Sequence, residues 1–229
     1  MSAKQTIAID GPAGSGKSTI GKLLAEYLGF LYFDTGVMYR AVTLAALRRS
    51  IDISNELEIS RLAEEITIDV RPPTKQDGRN CDVLIDGRDV TWDVYSPEID
   101  AQVSIVAAYK GVRQALSQQQ RRIGLEGKVV MVGRDIGTVI LPEADLKIYL
   151  DASKEERATR RYNERLQRGE KADYEVILAK IHDRDRIDSS REIAPLKPAE
   201  NAIIINTDGL SIQEVFHEMK KLTNSDDIK

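Results

Sequence analysis

Residues 11–19 read GPAGSGKST and stand directly behind a short apolar run, TIAID, at 6–10. An apolar run that ends in a glycine-rich loop is how a buried parallel strand presents itself. Beyond the loop, Ile20, Leu23, Leu24, Tyr27 and Leu28 recur at helical spacing, and Gly29 stands where a helix end favours positive φ. The pattern GxxxxGK[ST] constrains the chain more than any other feature, because it needs both the strand before it and the helix after it. Its glycines let backbone N–H groups turn inward around a phosphate, and the following helix adds the positive end of its dipole. Gly11, Pro12, Ala13, Gly14, Ser15, Gly16, Lys17, Ser18 and Thr19 are therefore candidate ATP-binding residues. Lys17 would neutralise the β and γ phosphates, and the Ser18 hydroxyl would be a ligand of Mg²⁺, which otherwise takes water and nucleotide oxygens.

That strand–loop–helix unit sets the fold class. Further buried-strand candidates lie at 31–33, 129–132, 146–150 and 202–206, separated mostly by helical stretches. The alternation predicts an α/β fold of the P-loop NTPase type, a parallel sheet with helices on both faces. Between 66 and 92 the rhythm breaks into short strand-like pieces at 67–70, 82–86 and 89–91, with turns at Pro72-Pro73 and Asp86-Gly87. This reads as a small antiparallel α+β insert, and Cys81 and Trp92 in or beside it are assigned to local packing. Residues 153–169 are rich in arginine and glutamate and poor in large apolar side chains, as expected of a poorly buried helix that can move. We expect a core built from 1–34 and 125–229 with a lid at about 153–170, a second region at 35–124 carrying the insert, and a polar tail at 223–229 that frays.

Composition narrows the function classes. Thirty-three Lys and Arg against 37 Asp and Glu leave a net charge of −4, which disfavours a general grip on nucleic acid. No run approaches the roughly 18 apolar residues of a membrane span, and the first residues carry no secretory pattern, so a cytosolic protein with no membrane partner is expected. The single cysteine permits neither an internal disulfide nor a cysteine-rich zinc site. His182 and His217 lie far apart and read as surface histidines on helices. A GTPase would need an NKxD segment and a transporter-type ATPase an LSGGQ-like stretch, and the chain has neither.

The acceptor has its own segments. DTGVMYR at 34–40 follows the second strand candidate, GRDIGT stands at 133–138 and REIAPL at 191–196. With the phosphate loop, these four segments in this order resemble the bacterial cytidylate kinases over essentially the whole chain. The resemblance implies an enzyme that moves the γ phosphate of ATP onto CMP or dCMP with Mg²⁺, and it makes 35–124 an enlarged monophosphate-binding region; a monomer is expected. The residue chemistry agrees. An acceptor phosphate must be pushed toward a second polyanion, which takes cations that hold both in line. Arg40 and Arg134 are the candidates, since a guanidinium forks onto two phosphate oxygens at once. Thr35 in the same segment joins the substrate-binding set. Cytosine offers an N4 amino donor beside N3 and O2 acceptors, a pattern that Asp135, Ser104 and Arg113 can meet. Uracil would face the Asp135 carboxylate with an oxygen, at a cost of about 1–3 kcal/mol, so CMP should be preferred over UMP. Arg184, Asp188 and Arg191 fall on one face of the helix before Pro195. The resemblance assigns that face to the sugar and base, with Asp188 accepting from a ribose hydroxyl.

Arg157, Arg161, Arg165 and Arg168 form a stripe on the expected lid, with Arg160 beside it. Pairs such as Glu156–Arg160 and Glu164–Arg168 explain part of the charge as helix-surface salt bridges but not the arginine excess. We expect Arg157 and Arg161 to reach the transferring phosphoryl group when the lid closes. One departure stands out: where many phosphate-loop enzymes end the strand at 129–132 with an acid that supports Mg²⁺, this chain has Val132. Asp34, Asp135 and Asp10 are all candidates to replace it. Thr207, with Asp208 and Gly209 after the last strand, is expected along the edge of adenine. The rival readings are a phosphate-loop kinase for another small acceptor, such as UMP or a metabolite alcohol, and a non-catalytic nucleotide switch.

Overall fold

A computed structural model describes residues 5–191 and 193–224. Most of the tail expected to fray, and the first four residues, lie outside that range. Five strands, β1 (Thr6–Asp10), β2 (Leu31–Asp34), β6 (Val129–Val132), β7 (Leu146–Asp151) and β8 (Ile203–Asn206), pair in parallel in the order β2-β6-β1-β7-β8. Register puts Asp34 beside Val132 and Asp10 beside Tyr149, so the carboxyl ends of the central strands bring these side chains to one edge. In an open parallel sheet that edge is where ligands bind.

The central strands are apolar on both faces because both are covered. On one face Ile7, Ile9, Val130, Val132, Ile148 and Leu150 meet α1 (Lys17–Leu28) and α8 (Ile212–Asn224) through Ile20, Leu24, Val215 and Met219. On the other face Ala8, Phe33, Val129 and Met131 meet α2 (Gly36–Arg48) and α5 (Lys110–Leu125), with α3 (Glu56–Glu65) and α4 (Pro97–Val106) behind them. Each such Val, Leu, Ile, Met or Phe side chain, taken fully out of water, contributes about 1.5–3 kcal/mol. The expected strands are present with ends shifted by one residue: β2 and β7 run on to Asp34 and Asp151, and β8 starts at Ile203. No helix among the described residues is long and apolar enough to cross a membrane.

The insert forms as a separate antiparallel sheet of β3 (Ile68–Arg71), β4 (Asp82–Ile85) and β5 (Arg88–Asp89). It is held at one end by polar contacts. The buried Arg79 guanidinium bonds Asp77, Asp82 and Asp89, with Thr91 beside it at 3.3 Å. Cys81 is buried as expected, whereas Trp92 is 53% exposed and donates its indole N–H to Asp77 at 3.0 Å. Its place is decided by that polar handle rather than by the core. After β7, α6 (Lys154–Gln167) and α7 (Tyr174–Ser190) form a hairpin. Ser153 and Asp173 start the two helices by accepting from Glu156 N and Val176 N.

Candidate active site

The phosphate loop leaves β1 through Gly11 at φ +145, where a Cβ would collide with the Leu150 carbonyl oxygen. Only glycine fits that position. At the other end, Gly16 is the N-cap of α1 and offers no side-chain cap, so the first amides of the helix are left for an anion. Lys17 is buried and donates to the Pro12 carbonyl at 2.5 Å, with Ser15 Oγ at 3.4 Å. Burial, and then the positive charge of Arg134, lower its pKa. Those are the electrostatics of a cation in want of a counter-ion.

The three acids weighed for magnesium part company. Asp34 Oδ2 accepts the Ser18 hydroxyl at 3.1 Å, and Asp34 Oδ1 accepts the Gly36 N–H at 3.0 Å. Asp10 is turned inward onto the amides of Ile136 and Gly137. Asp135 is paired with Arg113 at 2.9 Å, both largely buried. Asp34 stands one strand over from Val132, at the matching register position of β2.

Facing the loop is a cluster of guanidinium groups organised by few carboxylates. Asp188, 2% exposed, takes Arg134 Nε at 2.6 Å on one oxygen and Arg191 on the other. Arg184 makes no hydrogen bond or ion pair among the described residues. Burial, followed by the nearby charge of Arg134 for Arg184 and partly offset by Asp188 for Arg191, lowers the pKa of both. Arg113 lies over the Tyr39 ring at 5.8 Å and bonds Asp135, yet its buried Nε has no partner among the described residues. Burial raises the Asp135 pKa, opposed first by Arg113. Arg40 rests over Tyr95 and pairs with Asp100 at 2.6 Å. The Thr35 hydroxyl is buried and donates to the Val132 carbonyl at 3.1 Å, and the exposed Ser104 on α4 makes no side-chain hydrogen bond among the described residues.

On α6 the arginine stripe divides. Arg161 is exposed and pairs with Glu164 at 2.8 Å. Arg157, expected as a lid contact to the transferring phosphoryl group, is 2% exposed in this structure and grips Asp185 with both Nη atoms, at 3.0 and 2.6 Å. It also donates to the Ala13 carbonyl at 3.1 Å and so backs the phosphate loop. Helix periodicity shows which way a side chain points but not what waits for it, so Asp185, contributed by α7, was not visible as its partner. Arg160 forks onto Thr207, whose hydroxyl lies 3.5 Å from the Ser15 carbonyl, and that ties the loop after β8 to the phosphate loop. Asp100 and Asp185 are the site carboxylates that sequence reasoning missed; neither stands in a recognisable motif.

A phosphate loop at the carboxyl edge of a five-stranded parallel sheet, facing a cleft of arginines short of anions, defines a phosphate-loop protein built for two phosphate-bearing ligands. The sequence pattern of the cytidylate kinase family matches residues 7–225, and the chain belongs to that family. A cytidylate kinase of Chloroflexus aggregans is 52% identical over 214 residues, 93% of this chain and 91% of that one. One of Herpetosiphon aurantiacus is 50% identical over 216 residues, 94% and 93% of the two chains, and one of Bacillus subtilis is 46% identical over 215 residues, 94% of each. A crystal structure of an uncharacterized protein from Eubacterium ventriosum superposes with a TM-score of 0.52 at 13% identity, covering 97% of this chain and 99% of that one, and shares the fold alone.

Proposed function

We propose that the protein is an ATP-dependent nucleoside-monophosphate kinase that transfers the γ phosphate of ATP to CMP or dCMP, giving ADP and CDP or dCDP. The observation that carries this reading is the buried Arg113–Asp135 pair with one guanidinium N–H left open, next to the Arg134–Asp188–Arg191 cluster. A carboxylate that accepts from cytosine N4 and a guanidinium that donates to N3 or O2 match cytosine and oppose uracil. In this reading Arg40 and Arg134 hold the acceptor phosphate, Arg184 joins them, and Asp188 and Arg191 orient the sugar. The N–H groups of residues 11–19 and Lys17 hold the donor phosphates, with Thr207 along adenine.

Mg²⁺ fits the residues present: the Ser18 hydroxyl and the Asp34 carboxylate are hard oxygen donors in contact with each other beside the loop. When bound, the ion would neutralise charge shared between the β and γ phosphates. Ser18 would ligate it, and Asp34 would support it through water. No side chain has to act as general base, because the attacking oxygen of the acceptor phosphate is already an anion. The protein's task is to hold two repelling anions in line and to exclude water. Residues 35–124 form the acceptor-binding region and 153–170 the lid in this account. Arg161 is free to swing onto the transferring group once its exposed pair with Glu164 opens. Arg157 acts from behind the loop. One chain carries both halves of the site, so the working unit is taken to be a monomer, and its substrates assign it to the cytosol.

The test is ADP release by purified protein with Mg²⁺ and ATP, offered CMP, dCMP, UMP, AMP or shikimate. CMP and dCMP should lead; equal rates with UMP overturn the base reading, and ATP splitting that ignores CMP overturns the whole. A Lys17→Ala protein that kept its function would favour a nucleotide switch instead.

A further inference from the structure

Asp10 is a buried carboxylate for which the reaction as described has no use. It ends β1, one residue before the phosphate loop. Its Oδ1 accepts the Ile136 N–H at 2.8 Å and its Oδ2 the Gly137 N–H at 2.7 Å. These are the opening amides of a short π-helix, Ile136–Ile140, whose N-cap is Asp135. Amides at a helix start have no partner within the helix, and here both residues are buried, so one carboxylate from a different part of the chain satisfies the two together. From the other side, the N–H groups of Val139 and Ile140 return to the Asp135 carbonyl at 2.9 and 3.2 Å. Packing is close as well. A Cβ on Gly137 would lie 3.2 Å from Lys147 Cδ and 3.4 Å from Asp10 Oδ2. A carboxylate is a poor choice for stability alone in such a place. Burial raises the Asp10 pKa to about 6 against the lowering by its hydrogen bonds from Gly137 and Ile136, and Asp135 adds to the rise while Lys17 counters it.

We propose that Asp10 is the positioning residue for base selection: it clamps the 136–137 turn to the end of β1 and so holds Asp135 opposite Arg113 at a set distance from the phosphate loop. The proposal rests on the reading of Asp135 and Arg113 given above. It puts both substrates under the control of one strand end, since β1 runs directly into the loop that holds the donor while its last side chain holds the turn that reads the acceptor. Asp10 touches neither substrate in this scheme.

Asp10→Asn keeps the shape and one acceptor oxygen but turns an amide NH₂ toward the second N–H. Losing half of such a cap should loosen Asp135 and raise the KM for CMP about five- to tenfold. The preference for CMP over UMP, as a ratio of kcat/KM, should fall by a similar factor, while the KM for ATP stays within about twofold. An unchanged CMP-to-UMP ratio overturns the proposal, and so does an equal rise in all three KM values. Should the variant fail to fold, the wild-type chain, labelled with ¹⁵N, supplies the measurement. The Ile136 and Gly137 amides are expected to shift together with a midpoint near 6, and the CMP-to-UMP ratio, in which the acceptor phosphate cancels, should drop as pH falls through that midpoint. The groups facing Asp10 are Lys17, Asp135, Lys147 and Tyr149. Amides that do not titrate, or a ratio that stays flat while they do, overturn the proposal. If the wild type itself does not phosphorylate CMP, the underlying reading fails; if it does so and Asp10→Asn discriminates equally well, only this inference fails.

Discussion

The Arg113–Asp135 pair shows what single residues contribute here. Both side chains are nearly dry, and each is the principal counter-charge of the other. Arg113→Met would strand the Asp135 carboxylate and should destabilise the fold by about 3–5 kcal/mol, whereas Arg113→Met combined with Asp135→Leu should recover most of that loss. Urea titration of the three proteins checks this, and the double variant should remain folded while losing its preference for CMP. Lys17→Ala should lower kcat by about 10²–10³-fold, a loss expected where a charge meets the transferring phosphates, and single-turnover kinetics would separate it from weaker binding. Asp34→Asn should leave the melting temperature nearly unchanged, yet raise about tenfold the Mg²⁺ concentration at which ATP binding is half-enhanced in calorimetry. At this scale the motif residues were legible because their spacing around glycine is itself the signal. Their partners were not. Of the three acids, only the folded chain shows that Asp34 is the one in contact with the Ser18 hydroxyl, at 3.1 Å, and that Thr35 and Arg157 are engaged with the protein's own backbone or side chains.

Among the elements, the antiparallel insert depends on a charge cluster more than on its strands, which are only two to four residues long. Bonds from Arg79 hold the Asp77 and Asp89 carboxyls well below the ordinary carboxylate range. Their folded pKa values are depressed, so the stability they supply is complete above the unfolded carboxylate value and is lost only as pH falls below it toward the folded ones. The insert should therefore hold through mildly acidic pH and open in strong acid. Trp92, the only tryptophan, reports this directly, because its indole N–H sits on Asp77. Its emission should shift on strong acidification, and Arg79→Met should produce the same shift at neutral pH with the helical far-UV signal largely retained. The insert was readable from its short strands and its Pro-Pro and Asp-Gly turns. That an arginine between the turns would close it was not, since a lone Arg in a polar stretch carries no periodicity.

For the whole molecule, the cleft gathers Lys17, Arg134, Arg184 and Arg191, and burial first, with the like charge of Arg134 adding to it, lowers the pKa values of Lys17, Arg184 and Arg191. Ligands that bring phosphate should relieve this and stabilise the native state by mass action, about 2.7 kcal/mol at a hundred times Kd. Differential scanning calorimetry should show the melting temperature rising with CMP alone and with ATP–Mg²⁺ alone, and cytidine, which has no phosphate, should do far less. Sequence by itself determined the class of fold, the phosphate loop, the insert and the family, because strand–loop–helix order, hydrophobic periodicity and glycine spacing are local properties of the chain. Tertiary structure alone decided which acid faces Ser18, that Arg157 locks onto Asp185, and that Asp10 caps a turn 126 residues away. Those pairings join strand ends and helix faces that only the folded sheet brings within hydrogen-bond reach, and the energy of a buried charge depends on the neighbours it meets there rather than on its position in the chain.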